Sequence, residues 1–171
     1  EAANSILIQV LEDKSQEPMV RHEAAEALGA IGSERAIEIL QRFRNDPVIE
    51  VAETCELAIE RISWLNSEKR KENLSKSLFN SVDPAPPAQS DNIIELKSVL
   101  LNDSASLFER YRSMFALRNI GSDEAIAALG AGLKCGSALF RHEIAFVLGQ
   151  LQKEGSVSFL KESLEDCNEN E

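Results

Sequence analysis

The segment VRHEAAEALGAIG (residues 20–32) recurs as FRHEIAFVLGQLQ (residues 140–152), 120 residues further along the chain. Apolar residues, a small residue and a glycine stand at the same offsets from His22 and His142, the only two histidines in the sequence. Apolar residues three and four positions apart form one face of an α-helix. The two segments therefore predict an amphipathic helix that is used twice.

A shorter period of 31 residues relates neighbouring helices. The helix that begins near Val20 has the pattern V-x-x-x-A-x-x-A-L-x-x-I. A shift of 31 residues places small or apolar residues of 51–62 at the same positions of this pattern. In the second half of the chain, the same shift relates Tyr111 to His142. Short helices that recur in this way are typical of α-solenoids, in which each helical hairpin packs on its neighbours. We predict an all-α fold, an alpha-alpha superhelix of HEAT-repeat hairpins arranged in two halves.

Proline, glycine and serine predict where the helices begin and end. Pro18 stands at a tolerated first-turn position, Gly32 is suited to end that helix, and Ser33 can cap the helix that follows. The predicted helices cover about 3–12, 17–31 and 33–43, with the repeated helical frame over 51–62, followed by helices at 92–101, 106–119, 122–133, 138–152 and 156–166.

The repeats are interrupted between the two halves. The charged cluster Glu68-Lys69-Arg70-Lys71-Glu72 is followed by Asp83-Pro84-Ala85-Pro86-Pro87. The second of these cannot be helical, because proline lacks the amide hydrogen and clashes with the preceding turn. We interpret residues 66–90 as a linker between a partial amino-terminal HEAT-repeat half (1–65) and a partial carboxy-terminal half (91–171).

The composition argues against several classes of partner. The formal net charge of −11 disfavours nucleic acid, since no basic stripe is present to neutralise phosphates. No apolar run approaches the roughly 18–20 residues of a membrane span, so no membrane partner is expected. Three cysteines without a C-x-x-C motif predict reduced thiols in a cytoplasmic protein.

The steps His22-Glu23 and His142-Glu143 are the candidate metal ligands. Adjacent helical residues point about 100° apart, so a metal would need side chains from several helices. Imidazole and carboxylate donors suit non-haem iron, manganese or zinc. Histidine and glutamate projecting from several helices is also the ligand style of carboxylate-bridged di-iron proteins.

A structural interpretation of the histidines stays open beside the functional one. A lone histidine in a helix is more commonly a satisfied residue without a ligand, and duplication copies neutral residues too. Against this, Glu53 and Tyr111 occupy the same slot in the other repeats, so repeat packing does not require histidine there. Spacing alone leaves both interpretations available.

Two further patterns accompany the histidines. Gly29 and Gly149 each follow a histidine by seven residues, on the same helical face. Our hypothesis is that glycine lets helices approach closely beneath the site, with ordinary close packing as the alternative. Five aromatic residues at helical spacing are predicted to be core and not a cofactor site: Phe108, Tyr111, Phe115, Phe140 and Phe146.

Five segments resemble the deoxyhypusine hydroxylase family: EPMVRHEAAEALGAIG (17–32), DPVIEVAETCELAIERI (46–62), SVDPAPPA (81–88), LFERYRSMFALRNIG (107–121) and CGSALFRHEIAFVLGQLQ (135–152). The resemblance implies a HEAT-repeat fold in two halves and a non-haem di-iron monooxygenase. It also implies two iron ions as cofactor, O2 as co-substrate and a deoxyhypusine-containing translation initiation factor as protein substrate. The reaction implied is hydroxylation of deoxyhypusine to hypusine.

The resemblance also implies roles for single residues. His22 and Glu23 match a motif in which both side chains bind iron, and His142 matches an iron ligand. Glu143 matches a glutamate that orients the substrate amine, a catalytic role, with iron binding as the alternative.

The chain departs from that family in the number of motifs. The family has four His-Glu motifs and this sequence has two, and the missing two would fall about one repeat before Glu1 and one repeat after Glu171. We therefore expect a central fragment that binds iron weakly, is inactive or nearly so alone, and self-associates through exposed repeat ends. The alternative from another class is a HEAT-repeat interaction scaffold without catalysis.

Overall fold

The structure is a computed structural model that describes residues 2–68, 74–167 and 169. Throughout these residues the regular secondary structure is helical, which confirms the predicted all-α class. The helices are α1 Ala2–Glu12, α2 Pro18–Ile31, α3 Ile37–Phe43, α4 Ile49–Leu65, α5 Ile93–Leu100, α6 Leu107–Ile120, α7 Asp123–Gly132, α8 Ala138–Leu151 and α9 Val157–Glu165. Of the helices described, none combines the length and apolar character needed to cross a bilayer.

The chain divides into two compact units. Unit 1 consists of Glu1–Glu72 with Val82–Ala85, and unit 2 of Asn73–Ser81 with Pro86–Glu171. The residues interpreted as a linker (66–90) thus contribute to both units, and the non-helical Ala85 is fully buried. Residues 69–72 of the predicted charged cluster lie outside the described part of the chain. The division into halves 1–65 and 91–171 stays a prediction.

Unit 1 is built around α2, which packs against both α1 and α4. Pro18 occupies its first turn, and Gly32 ends it with a left-handed φ of 75° while its amide donates to the Leu28 carbonyl, both as predicted. The prediction for Ser33 is wrong, because a 3-10 turn precedes α3 and the Ser33 side chain makes no capping hydrogen bond. Its backbone carbonyl accepts from the amide of Ala36 instead.

Unit 2 repeats the hairpin with α6 and α8 beside α5 and α7. Helices α5 to α8 of unit 2 begin with side-chain caps, in which a side-chain oxygen accepts a hydrogen bond from a backbone amide of the first turn. The capping residues are Asn92, Ser106, Ser122 and Ser137. Such caps satisfy donors that a helix start leaves without intrahelical partners.

The aromatic residues of unit 2 form most of the predicted core. Tyr111 lies 6.2 Å from Phe115 and 5.7 Å from Phe140, measured between ring centroids. Phe108 is also buried. Phe146 is 51% exposed, so its assignment to the core is wrong. It lies on a face of α8 that is open in the described part of unit 2, together with the exposed His142 and Gly149.

Arginine in the slot before the histidine holds consecutive helices together. Arg21 Nε donates to the Leu11 carbonyl at 3.0 Å, and Arg110 Nε donates to the Leu100 carbonyl at 3.0 Å. Each arginine therefore binds the carbonyl end of the helix before its own. No role for this arginine follows from local sequence, although its recurrence with the repeat was the available signal.

Arg21 also forms a buried ion pair. Its guanidinium nitrogens lie 2.6 and 3.3 Å from the two Asp46 carboxylate oxygens, and the Asp46 side chain is only 2% exposed. The hydrogen bonds from Arg21, joined by the Val48 amide and by the positive charges of Arg21 and Lys14, hold the pKa of Asp46 below its usual range against the effect of burial. The loop after α3 is thereby fixed to the start of α2.

Close helix approach at a glycine is present at one of the two positions, and its link to a functional site stays a hypothesis. A Cβ added to Gly29 would lie 2.8 Å from Ala58 Cβ and 3.0 Å from Ala58 Cα, so α2 and α4 are in backbone contact there. Gly149 has no described atom within 4 Å of the same position. The contact in unit 1 depends on glycine, whereas the described part of unit 2 has no counterpart.

Asp46→Asn should make the unfolding free energy of the chain less dependent on pH in the acid range. The folded-state pKa of Asp46 lies below the unfolded value of about 3.9, so its contribution is complete above about pH 4 and disappears as the pH falls through the folded pKa. We expect the variant to lose about 3 kcal/mol of unfolding free energy at neutral pH, with the difference from wild type narrowing in acid. Urea unfolding at a series of pH values measures this.

The matched control is Glu56→Gln, which removes the partner of Arg44 from a surface pair whose Arg44 side chain is 55% exposed. It should change the unfolding free energy by no more than about 1 kcal/mol. An Asp46→Asn effect that did not change with pH would contradict the argument.

Gly29→Ala and Gly149→Ala should change stability in opposite directions. Alanine at position 29 must displace the α4 backbone and should cost about 1–3 kcal/mol. Alanine at position 149 meets no described atom and should stabilise its helix by about 0.5–1 kcal/mol. Denaturant unfolding of both variants decides the matter, and equal effects at the two positions would refute the proposed seam between α2 and α4.

Candidate metal centre

The two His-Glu steps occupy equivalent places in separate units. His22 is the fifth residue of α2 in unit 1, and His142 is the fifth residue of α8 in unit 2. Each step therefore lies near the start of its helix, as the sequence predicts. The side chains differ in burial, since His22 is only 6% exposed whereas His142 is exposed.

The ring of His22 is held by the neighbouring repeat. Its Nδ1 lies 2.6 Å from Thr54 Oγ1 on α4, and the Thr54 hydroxyl donates to the Glu50 carbonyl at 2.7 Å. Thr54 is itself buried, at 3% exposure. Thr54 was not among the predicted site residues, although the 31-residue repeat places it in the slot that Glu23 occupies one repeat earlier.

Two carboxylates lie beside the other nitrogen of His22. Its Nε2 is 3.9 Å from Glu23 Oε1 and 3.7 Å from Glu26 Oε2, distances too long for hydrogen bonds. Glu26 was not among the predicted ligands, although residues four apart on a helix are natural neighbours. Burial, reinforced by the charge of Glu23, raises the pKa of Glu26. A cation placed among these groups would relieve that repulsion.

In unit 2 the described contacts involve mainly the arginine of the step. Arg141 Nε lies 2.7 and 3.0 Å from the two carboxylate oxygens of Glu169, and its Nη1 donates to the Gly136 carbonyl at 2.7 Å. Glu143 is half-buried. Arg141 thus ties the start of α8 to the segment after α9, while His142 faces solvent within this unit.

Neither step forms a complete metal cage within its unit. Among the described residues, no three histidine, cysteine, aspartate or glutamate side chains converge as a metal site would require. This fits the geometry of adjacent helical positions, which diverge by about 100°. The structure brings His22 close to Glu23 and adds Glu26, and the assignment of His22, Glu23, His142 and Glu143 to one metal centre stays a prediction.

The chain is similar to known proteins in both fold and sequence. A family model for HEAT repeats matches residues 1–78, and one for the PBS lyase HEAT-like repeat matches residues 109–135. Among solved structures, the fold is similar to that of human deoxyhypusine hydroxylase in complex with glycerol, at 54% identity and a TM-score of 0.91, over 99% of this chain and 58% of that one. The predicted alpha-alpha superhelix of HEAT repeats is thereby confirmed.

Curated relatives carry the same name. Deoxyhypusine hydroxylase of Danio rerio is 55% identical over 99% of this chain and 56% of its own length. The Homo sapiens protein is 56% identical over 96% of this chain and 54% of its own, and the Drosophila melanogaster protein 53% identical over 99% and 56%. The chain spans about half the length of these relatives. By sequence and by fold, the chain is similar over nearly its whole length to deoxyhypusine hydroxylases.

Proposed function

We propose that this chain supplies iron ligands and substrate contacts of a deoxyhypusine monooxygenase, which uses O2 to hydroxylate the deoxyhypusine side chain of a translation initiation factor. The observation that carries the proposal is identity of 53–56% to deoxyhypusine hydroxylases over nearly the whole chain. The recurrence of the His-Glu step at one helical position in both units supports it.

The donors present fit iron. His22 with Glu23, and His142, would hold two iron ions, since imidazole nitrogen and carboxylate oxygen suit ferrous iron. The buried His22 donates or accepts through Nδ1 at Thr54, which is how metal-binding histidines are commonly oriented. Bound iron would supply the activation of O2.

Carboxylates of this chain would receive the cationic substrate. The deoxyhypusine side chain carries amino groups, and a half-buried carboxylate such as that of Glu143 can accept hydrogen bonds from one of them. In this role Glu143 orients the substrate amine; iron binding is the alternative role for the same residue. The net charge of −11 would also steer a basic protein substrate toward the chain.

Iron binding is the first test of the proposal. Anaerobic titration of the purified chain with ferrous iron, followed by metal analysis, should show bound iron. His22→Ala and His142→Ala should each weaken binding by more than about tenfold, because even residues that only orient a ligand contribute about 10–100-fold. Glu38→Gln, an exposed carboxylate on α3, is the control and should bind iron as wild type does. A chain that binds no iron would leave the scaffold interpretation in its place.

Substrate recognition by Glu143 is a separate test. The chain should bind a translation initiation factor that carries deoxyhypusine more tightly than the same factor with unmodified lysine. Glu143→Gln should reduce that preference about tenfold, the value of one hydrogen bond to a charged group. Calorimetric titration with both forms of the factor measures it. Equal affinity of the wild-type chain for the two forms would count against a substrate contact.

A further inference from the structure

We propose that Thr54 is a positioning residue for the metal. Its hydroxyl fixes His22 in the tautomer that carries the proton on Nδ1, so that a neutral ring presents the lone pair of Nε2. The consequence for iron rests on the proposed function, whereas the tautomer follows from hydrogen bonds within the chain.

The direction of the hydrogen bonds determines the tautomer. A threonine hydroxyl has one proton to donate, and Thr54 donates it to the Glu50 carbonyl one turn earlier on α4, at 2.7 Å. The 2.6 Å contact between Thr54 Oγ1 and His22 Nδ1 therefore needs its proton from the ring. Because a neutral imidazole has a single N–H, Nε2 is then the nitrogen with the lone pair.

The surrounding packing keeps this arrangement in register. Gly29 follows His22 by seven residues on α2, and Ala58 follows Thr54 by four residues on α4. The close approach of Gly29 to Ala58 and the contact of His22 with Thr54 thus lie along one seam between the two helices. Arg61 of α4 adds hydrogen bonds to the Gly29 carbonyl at 2.6 Å and to the Ala30 carbonyl at 3.3 Å. Sliding of α2 along α4 would break all of these contacts together.

The groups beside the other nitrogen of the ring are acidic. Glu23 and Glu26 place carboxylate oxygens 3.9 and 3.7 Å from Nε2. A metal-binding histidine coordinates through one ring nitrogen and commonly donates its second N–H to an oxygen acceptor. Thr54 provides that acceptor from a repeat that has no histidine of its own.

The first measurement uses the wild-type chain without metal. Histidine labelled with 15N gives two ring systems, one from each histidine, and His22→Gln assigns them. At about pH 8.5 an ordinary imidazole is neutral, since its pKa is about 6.5. We expect His22 to show a protonated Nδ1 and an unprotonated Nε2, with the exposed His142 as the internal reference. A neutral His22 protonated on Nε2 overturns the proposal.

Variants then test the role of the hydroxyl. Thr54→Val removes it at almost constant shape, so the 15N shifts of His22 should move toward those of His142 and the affinity for ferrous iron should fall about 10–100-fold. Thr54→Ser should restore both. Ser63→Ala deletes a similar bond on the same helix, from Ser63 Oγ to the Ile59 carbonyl at 2.8 Å, and should change neither.

Each outcome has one meaning. A folded Thr54→Val chain that keeps the wild-type tautomer overturns the proposal, and so does a Thr54→Ser chain that loses it. If Thr54→Val does not fold, as judged by circular dichroism, the wild-type and Thr54→Ser spectra decide. A wild-type chain with the expected tautomer but without iron binding would contradict the proposed function and the metal role of Thr54, while leaving the hydrogen-bond assignment standing.

Discussion

Backbone contact between α2 and α4 is the constraint on which unit 1 depends. It exists because Gly29 has no side chain, so that Ala58 can occupy the space a Cβ would need. At this separation the short hydroxyl of Thr54 reaches the ring of His22, and Arg61 reaches the carbonyls near the end of α2. A wider seam would leave the histidine in solvent and its Nδ1 without this acceptor. The close approach at Gly29 thus allows both the packing of the two helices and the contact between His22 and Thr54.

In the repeated hairpin, one position keeps its packing role while the next position changes its residue type and its possible chemistry. The arginine before the histidine slot binds the preceding helix in both Arg21 and Arg110, although histidine follows the first and tyrosine the second. The slots that hold His22 and Glu23 hold Glu53 and Thr54 one repeat later. A solenoid tolerates such exchange because each repeat contacts only its neighbours. One repeat can then provide a metal donor and the next the group that orients it.

The two His-Glu steps show how similar sequence can lie in different surroundings. His22 is covered by α4, whereas His142, Phe146 and Gly149 lie on a face of α8 that is open within the described residues of unit 2. The residue four positions after the histidine differs accordingly: Glu26 adds charge beside Nε2, and Phe146 exposes a ring. Burial in unit 1, reinforced by the charge of Glu23, also raises the pKa of the Glu26 carboxyl.

Local sequence by itself determined the helices, their proline and glycine boundaries, the hairpin repeat and the positions of both His-Glu steps, because spacing and turn chemistry act over a few residues. It misjudged Ser33 and Phe146, and it missed Glu26, Thr54 and the role of Arg21. The contacts of these residues depend on which helix packs against them. A pattern of apolar residues indicates that a helix face is buried, but it does not identify the helix that covers it. Only the tertiary structure decided that Thr54 meets Nδ1 of His22, since the two are 32 residues apart and become neighbours through helix packing.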